Sequence, residues 1–241
     1  MKNEKVLMTD IFLPLYQMMK DGKFVKDKSG VNMVELIAPR IELNPAQPVL
    51  DFGARKTPLK YAEAELKWYN SMDLSVSEIG KDAQIWLKIA DSEGKVNSNY
   101  GWCIYSTENG SQYQSAINQL LEDSESRRSC MIYNRPSMQT DYNKNGMNDF
   151  ICTFATQHFI RNTELIYVVM MRSQDAIYGF FNDFYWHCIV YDQMYTQLRK
   201  KFVNLQRGKM IWIANSFHVY ERHFDMLNKI VEQYDNVAVE S

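Results

Sequence analysis

Neither GxGxxG nor GxxxxGK[S/T] occurs in this sequence, so the usual backbone cradles for dinucleotides and triphosphates are missing. The four histidines, His158, His187, His218 and His223, show no HExxH or other metal-ligand spacing, and no metal is expected. The four cysteines, Cys103, Cys130, Cys152 and Cys188, contain no CxxC pair. That argues against a disulfide-stapled secreted scaffold and for a reducing cytoplasm. An excess of one charge is lacking as well. The formal net charge is −2, so no bulk field draws the chain to nucleic acid, and any anion site must rest on a few converging cations. The longest uninterrupted apolar run, Leu165 to Met171, is too short to span a bilayer. Ile11 to Met19 faintly mimics a signal peptide, but Pro14 and Gln17 break it, Asp10 precedes it and no small-residue cleavage site follows. A first amphipathic helix capped by Thr9 and closed near Gly22 accounts for it better.

What is present is a soluble globular balance, 46% hydrophobic and 23% charged, in 241 residues, enough for one large core and a single domain over residues 1–241. The stretch Ala38 to Thr57, with Pro58 beside it, holds four of the six prolines and is the most linker-like region. Val31 to Leu43 reads as extended, Tyr61 to Met72 as a helix and Asp82 to Ala90 as a shorter one. In Ser111 to Leu121 the residues Tyr113, Ala116, Ile117, Leu120 and Leu121 share one face, which predicts an amphipathic helix. Ser129 to Asn134, Phe150 to Arg161 and Leu165 to Met171 read as strands, the last two joined at Asn162-Thr163. Phe184 to Leu198 reads as a long helix, Met210 to Phe217 as a strand and Glu221 to Gln233 as the last helix. The mixture predicts an α+β or mixed α/β fold.

Several residues invite a chemical reading. Cys152 in "DFICTFATQHFIR" is either an inert buried thiol or a nucleophile at the start of a strand. Thr153, Thr156, Gln157 and His158 are polar company in an apolar strand, and such groups need partners or a job; Gln157 counts as a candidate substrate ligand. Glu65 has Tyr61, Ala62, Trp68 and Tyr69 at helical spacing, so it is either a solvated flank or a half-buried carboxylate. Arg127-Arg128 in "DSESRRS" read as a solvated pair or an anion site. Arg172-Ser173 end an apolar strand, where a guanidinium fork suits phosphate. His218 and Tyr220 alternate in "SFHVYERH" and face one side of a continued strand, where two hydrogen-bonding groups can hold a sugar hydroxyl.

Taken in order, "ELKWY", "NSNYGW", "DSESRRS", "RPSMQTDYNKNGMNDFICT", "MRSQDAIYGFFND" and "HVYERH" resemble the thymidylate synthase superfamily over nearly the whole chain. Within it, the likeness is greatest to the phage deoxycytidylate hydroxymethylases of the T-even type. The resemblance implies one α/β domain on a large mixed sheet, a homodimer, and the cytoplasm of a phage-infected bacterial cell. It implies that Cys152 is the nucleophile, that Glu65 organises water and proton transfer, and that Tyr100 stands near the C5 proton. Arg172, Ser173 and Lys28 match phosphate ligands, Lys28 as a point charge where the synthases carry arginine. Arg127 and Arg128 match the pair that reaches the phosphate of the other subunit's site. His218 and Tyr220 match the pair on the sugar 3′-hydroxyl, and Asp175 and Trp86 match folate-side residues.

The departures from the synthases carry information. Thr153 follows the nucleophile where they have His, Phe150-Ile151 replace a proline pair, and Ile89 replaces a second folate-side tryptophan. In "GFFND", Asp183 stands where synthases hold uracil with Asn. An Asn amide both donates and accepts, which suits uracil, whereas an ionised carboxylate only accepts and suits the N4 amine and protonated N3 of cytosine. The competing reading of Asp183 is an N-cap for the following helix. The implied reaction takes the methylene of 5,10-methylenetetrahydrofolate onto C5 of dCMP. Water addition then gives 5-hydroxymethyl-dCMP, and hydride transfer would give a methyl group instead. The motif set and Ile89 favour water. Alternatives are a dCMP C5-methyltransferase, a synthase-like (d)UMP enzyme and a non-catalytic nucleotide-binding scaffold, and the retained Cys152, Glu65 and Asp183 argue against the scaffold.

Overall fold

The computed structural model describes residues 2–27 and 29–239, with side chains as far as Tyr234. Lys28, a candidate phosphate ligand, lies outside the described residues. The chain opens with helices α1 (Asn3–Leu7) and α2 (Leu13–Lys20), joined by a π-helical turn at Met8–Phe12. Strands β1 (Val25–Lys26), β2 (Asn32–Ile37) and β3 (Arg40–Leu43) follow. Next come helices α3 (Leu59–Ser71), α4 (Ile79–Asp82), α5 (Ile85–Ile89), α6 (Tyr100–Tyr105) and α7 (Gln112–Glu122). Strand β4 (Cys130–Ile132) and helix α8 (Met138–Asp141) precede strands β5 (Thr153–Arg161), β6 (Glu164–Met171) and β7 (Gln174–Asp175). Helix α9 (Gly179–Arg199), strands β8 (Gln206–Ala214) and β9 (Ser216–Tyr220) and helix α10 (Phe224–Val239) complete the order.

These elements form two compact units. The first takes in residues 1–58, 168–193 and 207–241. Its four-stranded sheet has the order β1-β2-β9-β7, antiparallel except for the parallel β7/β9 pair, so it is mixed. Strand β3 pairs antiparallel with β8, Arg40 opposite Ile213. The core is aromatic. Phe180 stacks on Phe184 and meets Trp212 edge-on at 5.1 Å, and all three rings are fully buried. Burying a ring of that size is worth about 1.5–3 kcal/mol. The second unit takes in residues 59–167 and 194–206. Strand β4 lies antiparallel to β5, with Cys130 opposite Gln157, and β5 neighbours β6. Helix α7 buries Tyr113, Ala116, Ile117 and Leu120, the face that the periodicity predicts. The β5–β6 turn is Asn162-Thr163 with φ of 51° and 64°. Positive φ at both positions is the two-residue turn whose twist matches the flanking strands.

Four expectations about elements need correction. The first helix starts at Asn3, not after Thr9, because the Asn3 amide ties the chain to the Asn44 and Gln47 backbone at 2.7–3.1 Å. Pro14 lies within that helical run, as the sequence reading has it. Its missing N–H and its ring disturb the carbonyl four residues back, Asp10, and the chain absorbs this as the π turn. The Ala38–Thr57 stretch is packed and is no linker: Leu50 and Thr57 bond each other, and Leu50 and Phe52 are buried. The Met210–Phe217 run is two strands, since Asn215 breaks the ladder and donates to the Met171 carbonyl. Finally, α9 begins at Gly179, five residues earlier than its apolar pattern suggests.

Candidate functional site

In the second unit, Glu65 projects from α3 and is 6% exposed. The solvated-flank reading of Glu65 therefore fails. Tyr61, one turn earlier, donates its hydroxyl hydrogen to Glu65 Oε1 at 2.7 Å. Trp86 Nε1 in turn donates to the Tyr61 oxygen at 2.8 Å. The indole can only donate and the carboxylate can only accept, so the chain Trp86 to Tyr61 to Glu65 has one proton direction. It links two residues that the resemblance assigns to the folate side and to proton transfer, through a tyrosine that it does not assign. Trp86 leans on Trp68 at 4.8 Å and stays half-buried.

Tyr100 begins α6, stacks on Tyr69 at 5.2 Å and meets Tyr133 edge-on. Gly101 makes this approach possible, since a Cβ there would sit 1.8 Å from the Tyr69 carbonyl oxygen. Asn99 caps α6 by accepting from Trp102 N at 2.8 Å. The buried Asp149 carboxylate accepts from Asn97 N and Ser98 N at 2.7 and 2.8 Å and from the Ser98 hydroxyl at 2.6 Å. One carboxylate three residues before Cys152 therefore clamps the loop that presents Tyr100. Sequence reading misses Asp149, because its partners lie some fifty positions away.

Cys152 sits in the bend just before β5, half-buried, rather than at the start of a strand. Burial pushes the Cys103 thiol up to about 12 and raises Cys188 well above its ordinary value, so both are protonated structural thiols. The polar company of Cys152 in β5 has a structural job. Ser129 donates to the Ala116 carbonyl, so its oxygen must accept from His158 Nδ1, at 3.0 Å. His158 Nε2 then accepts from Thr156 at 3.0 Å. Burial holds the His158 pKa down, to about 3. Gln157 donates to the Arg127 carbonyl at 2.9 Å, and the Arg127 and Arg128 side chains are exposed.

In the first unit, Arg172 and Ser173 follow β6, and β7 places Asp175 opposite His218. Asp175 Oδ1 accepts from Ile177 N and Tyr178 N at 2.8 and 3.3 Å, forming the turn that starts α9. Its Oδ2 lies 3.7 Å from His223 Nδ1. Arg55 covers Tyr178 at 4.8 Å and donates to the Ile177 carbonyl. His218 and Tyr220 share a face of β9, as their alternation predicts, with ring centroids 4.7 Å apart. Ser216 donates its hydroxyl hydrogen to Glu35, which leaves its oxygen to accept from His218 Nδ1 at 3.1 Å. Nε2 of His218 is thereby the acceptor end of a neutral ring. Burial lowers its pKa, outweighing the opposite pull of Asp175 and Glu35, while the Arg172 charge adds to the lowering.

Asp183 is the fifth residue of α9. It cannot cap a helix that starts at Gly179, so the capping alternative is overturned. Its Oδ2 accepts from Gln174 Nε2 at 2.8 Å. Gln174 is also missed by sequence reading. Among the described residues, no group of three or more His, Cys, Asp or Glu is placed to hold a metal ion.

A family model described as thymidylate synthase matches residues 12–239 and so spans both units. Proteins named deoxycytidylate 5-hydroxymethyltransferase from Enterobacteria phages T4 and T2 are each 40% identical over 231 residues, covering 95% of this chain and 92% of the relative. A thymidylate synthase of Francisella tularensis subsp. holarctica is 21% identical over 224 residues, covering 87% of this chain and 79% of the relative. With a family model over most of its length and relatives this similar, the chain belongs to the thymidylate synthase family.

Proposed function

We propose that this chain is a deoxycytidylate 5-hydroxymethyltransferase working as a single-domain homodimer in the cytoplasm of an infected cell, on dCMP and 5,10-methylenetetrahydrofolate. The observation that carries the base choice is Asp183, a carboxylate inside the first turns of α9 whose Oδ2 is already oriented by an amide donor. An ionised carboxylate accepts from the cytosine N4 amine and the protonated N3, and it repels uracil O4. The phage relatives that carry the name support the same reading.

Cys152 thiolate adds to C6 and makes C5 a carbon nucleophile. The folate supplies one carbon at the methylene level and leaves as tetrahydrofolate. The half-buried Trp86 indole suits a flat heteroaromatic ring, and the Asp175 carboxylate suits the donor edge of an aminopyrimidine. Asp183 stabilises the adduct at N3 and N4. Glu65, its carboxylate set by Tyr61 and Trp86, orders water and takes part in proton transfer, and Tyr100 stands by the C5 proton. Water oxygen ends on the new exocyclic carbon and Cys152 leaves C6, so dCMP, folate and water become 5-hydroxymethyl-dCMP and tetrahydrofolate. Arg172, Ser173 and Lys28 hold the phosphate, and Arg127 and Arg128 serve the partner's site. Gln157 contacts substrate and steadies the Arg127 turn. His218 Nε2 accepts from the sugar 3′-hydroxyl beside Tyr220, which its tautomer permits.

The test is the product and the kcat/KM ratio for dCMP over dUMP. Wild type should form 5-hydroxymethyl-dCMP, seen by mass spectrometry, and favour dCMP. Asp183→Asn should swing the ratio toward dUMP at least about tenfold, because a buried hydrogen-bond mismatch costs about 1–3 kcal/mol. A methylated product, a wild-type preference for dUMP or an unmoved ratio would overturn the assignment.

A further inference from the structure

Gln174 is an awkward residue for a core. It is 2% exposed, and its carbonyl oxygen is buried with no hydrogen-bond partner among the described residues. An unmet buried acceptor destabilises a protein, and an apolar side chain of the same size would fill the space without that penalty. The amide is therefore not explained by stability. Its nitrogen, in contrast, is well used: Nε2 donates to Asp183 Oδ2 at 2.8 Å.

The geometry around this contact is built rather than incidental. Strand β7 pairs Gln174 with Phe217 and Asp175 with His218, which fixes the backbone at both positions. Gln174 reaches Asp183 across Gly179. A Cβ at position 179 would come within 3.3 Å of Gln174 Nε2 and 3.7 Å of Asp183 Oδ2. A side chain at that position would crowd the amide by a few tenths of an ångström and touch the carboxylate at ordinary van der Waals distance. The amide has only one workable orientation, because turning it over would set its carbonyl against the carboxylate, acceptor against acceptor.

We propose that Gln174 is the positioning residue for base recognition: its amide donates to Asp183 Oδ2, fixes the carboxylate plane and thereby sets the preference for cytosine over uracil. This rests on the reading of Asp183 given above. The choice of a neutral donor matters. Lysine or arginine would offset the negative charge that a protonated cytosine needs, whereas an amide orients the carboxylate and leaves its charge in place. The same donor would also orient an amide introduced at position 183. It would hold that oxygen and turn the NH2 outward, as uracil O4 requires.

Two substitutions test this. Gln174→Met keeps approximate size and removes the donor. Gln174→Glu keeps shape and sets a second carboxyl against Asp183, where the like charge strongly raises the pKa of one of the pair, so that both ionise only at high pH. For each, kcat/KM for dCMP and for dUMP is measured from pH 6 to pH 9, with dCMP binding measured alongside. Gln174→Met should lower the dCMP/dUMP ratio about tenfold or more, mainly through kcat on dCMP. Gln174→Glu should lose dCMP turnover at high pH and regain it relative to wild type on acidification, as the introduced carboxyl takes a proton and becomes a donor. That acid recovery is not expected of a residue that only fills space, and it carries the test should Gln174→Met fail to fold. A ratio unmoved in Gln174→Met, or a Gln174→Glu profile parallel to wild type, would overturn the role of Gln174 while leaving the dCMP assignment standing. A wild type that does not favour dCMP would overturn both.

Discussion

Acidification should destabilise this protein through His158 well before carboxylates titrate. The ring is fully buried between Ser129 and Thr156, with Tyr167 4.6 Å away, and both nitrogens are committed to a neutral tautomer. Its folded pKa is pulled down to about 3 by burial, below the unfolded value near 6.5. Between those values the unfolded chain binds a proton that the native chain refuses. This contribution is therefore flat above about pH 7 and is lost as pH falls through 6.5. From pH 8 to pH 5 the loss is RT ln(1 + 10^1.5), about 2 kcal/mol, and it hardly depends on the folded value so long as that stays well below 5. His218 and His223 shift in the same direction, so wild type alone cannot isolate the effect. His158→Gln does. At pH 8 the variant should be less stable than wild type by about 1–4 kcal/mol, from lost packing and an imperfect hydrogen-bond match. Urea unfolding at fixed protein concentration should show this gap narrowing by about 2 kcal/mol at pH 5. A gap that stays constant across that range would mean that native His158 accepts a proton normally, and the tautomer argument would be wrong.

Cys152→Ser should bind dCMP about as well as wild type, by calorimetry, and lose turnover by several orders of magnitude, since a serine hydroxyl is a far weaker nucleophile than a thiolate at neutral pH; near-normal product formation would remove Cys152 from the mechanism. Mixing Arg128→Ala with Cys152→Ala protomers should restore part of the activity that each lacks, because one hybrid site then keeps both groups. No recovery in mixtures shown to contain heterodimers would show that the exposed arginines do not serve a partner's site.

The elements that a sequence pattern predicts well here are those whose cause is local. Helix α7 follows from the spacing of Tyr113, Ala116, Ile117 and Leu120, and the β5–β6 hairpin from alternation on either side of Asn162-Thr163. The early start of α9 is harder, because Gly179 and the unpatterned Ala176–Tyr178 hide it. What starts the helix is the Asp175 side chain bonding the amides of Ile177 and Tyr178, a short-range signal available in "QDAIYG" to a reader who weighs turn chemistry above hydrophobic period. The break at Asn215 has a weaker local signal, since Asn215-Ser216 interrupt the apolar run after Ala214, but the bonds that fix it go to the distant Met171 and Ala38.

The same distinction separates the parts of the site. Residue types at motif positions, such as Cys152, Glu65 and Asp183, can be picked out because the resemblance carries them one at a time. What orients them cannot be read in that way. Glu65 looks solvated by composition, yet it is buried under a tyrosine that also receives a tryptophan from another helix. Asp149 looks like an ordinary loop acid, yet it closes three hydrogen bonds with a segment fifty residues away. Gln174 sits between two motif residues and passes for a spacer, although its amide donates to Asp183 from a position with no stability reason for an amide. Substituting a motif residue therefore tests whether the chemistry is present. Substituting Tyr61, Asp149 or Gln174 tests whether its geometry is what makes it work, and a loss of turnover in these variants without a loss of folding would place the catalytic advantage in orientation rather than in the reacting groups alone.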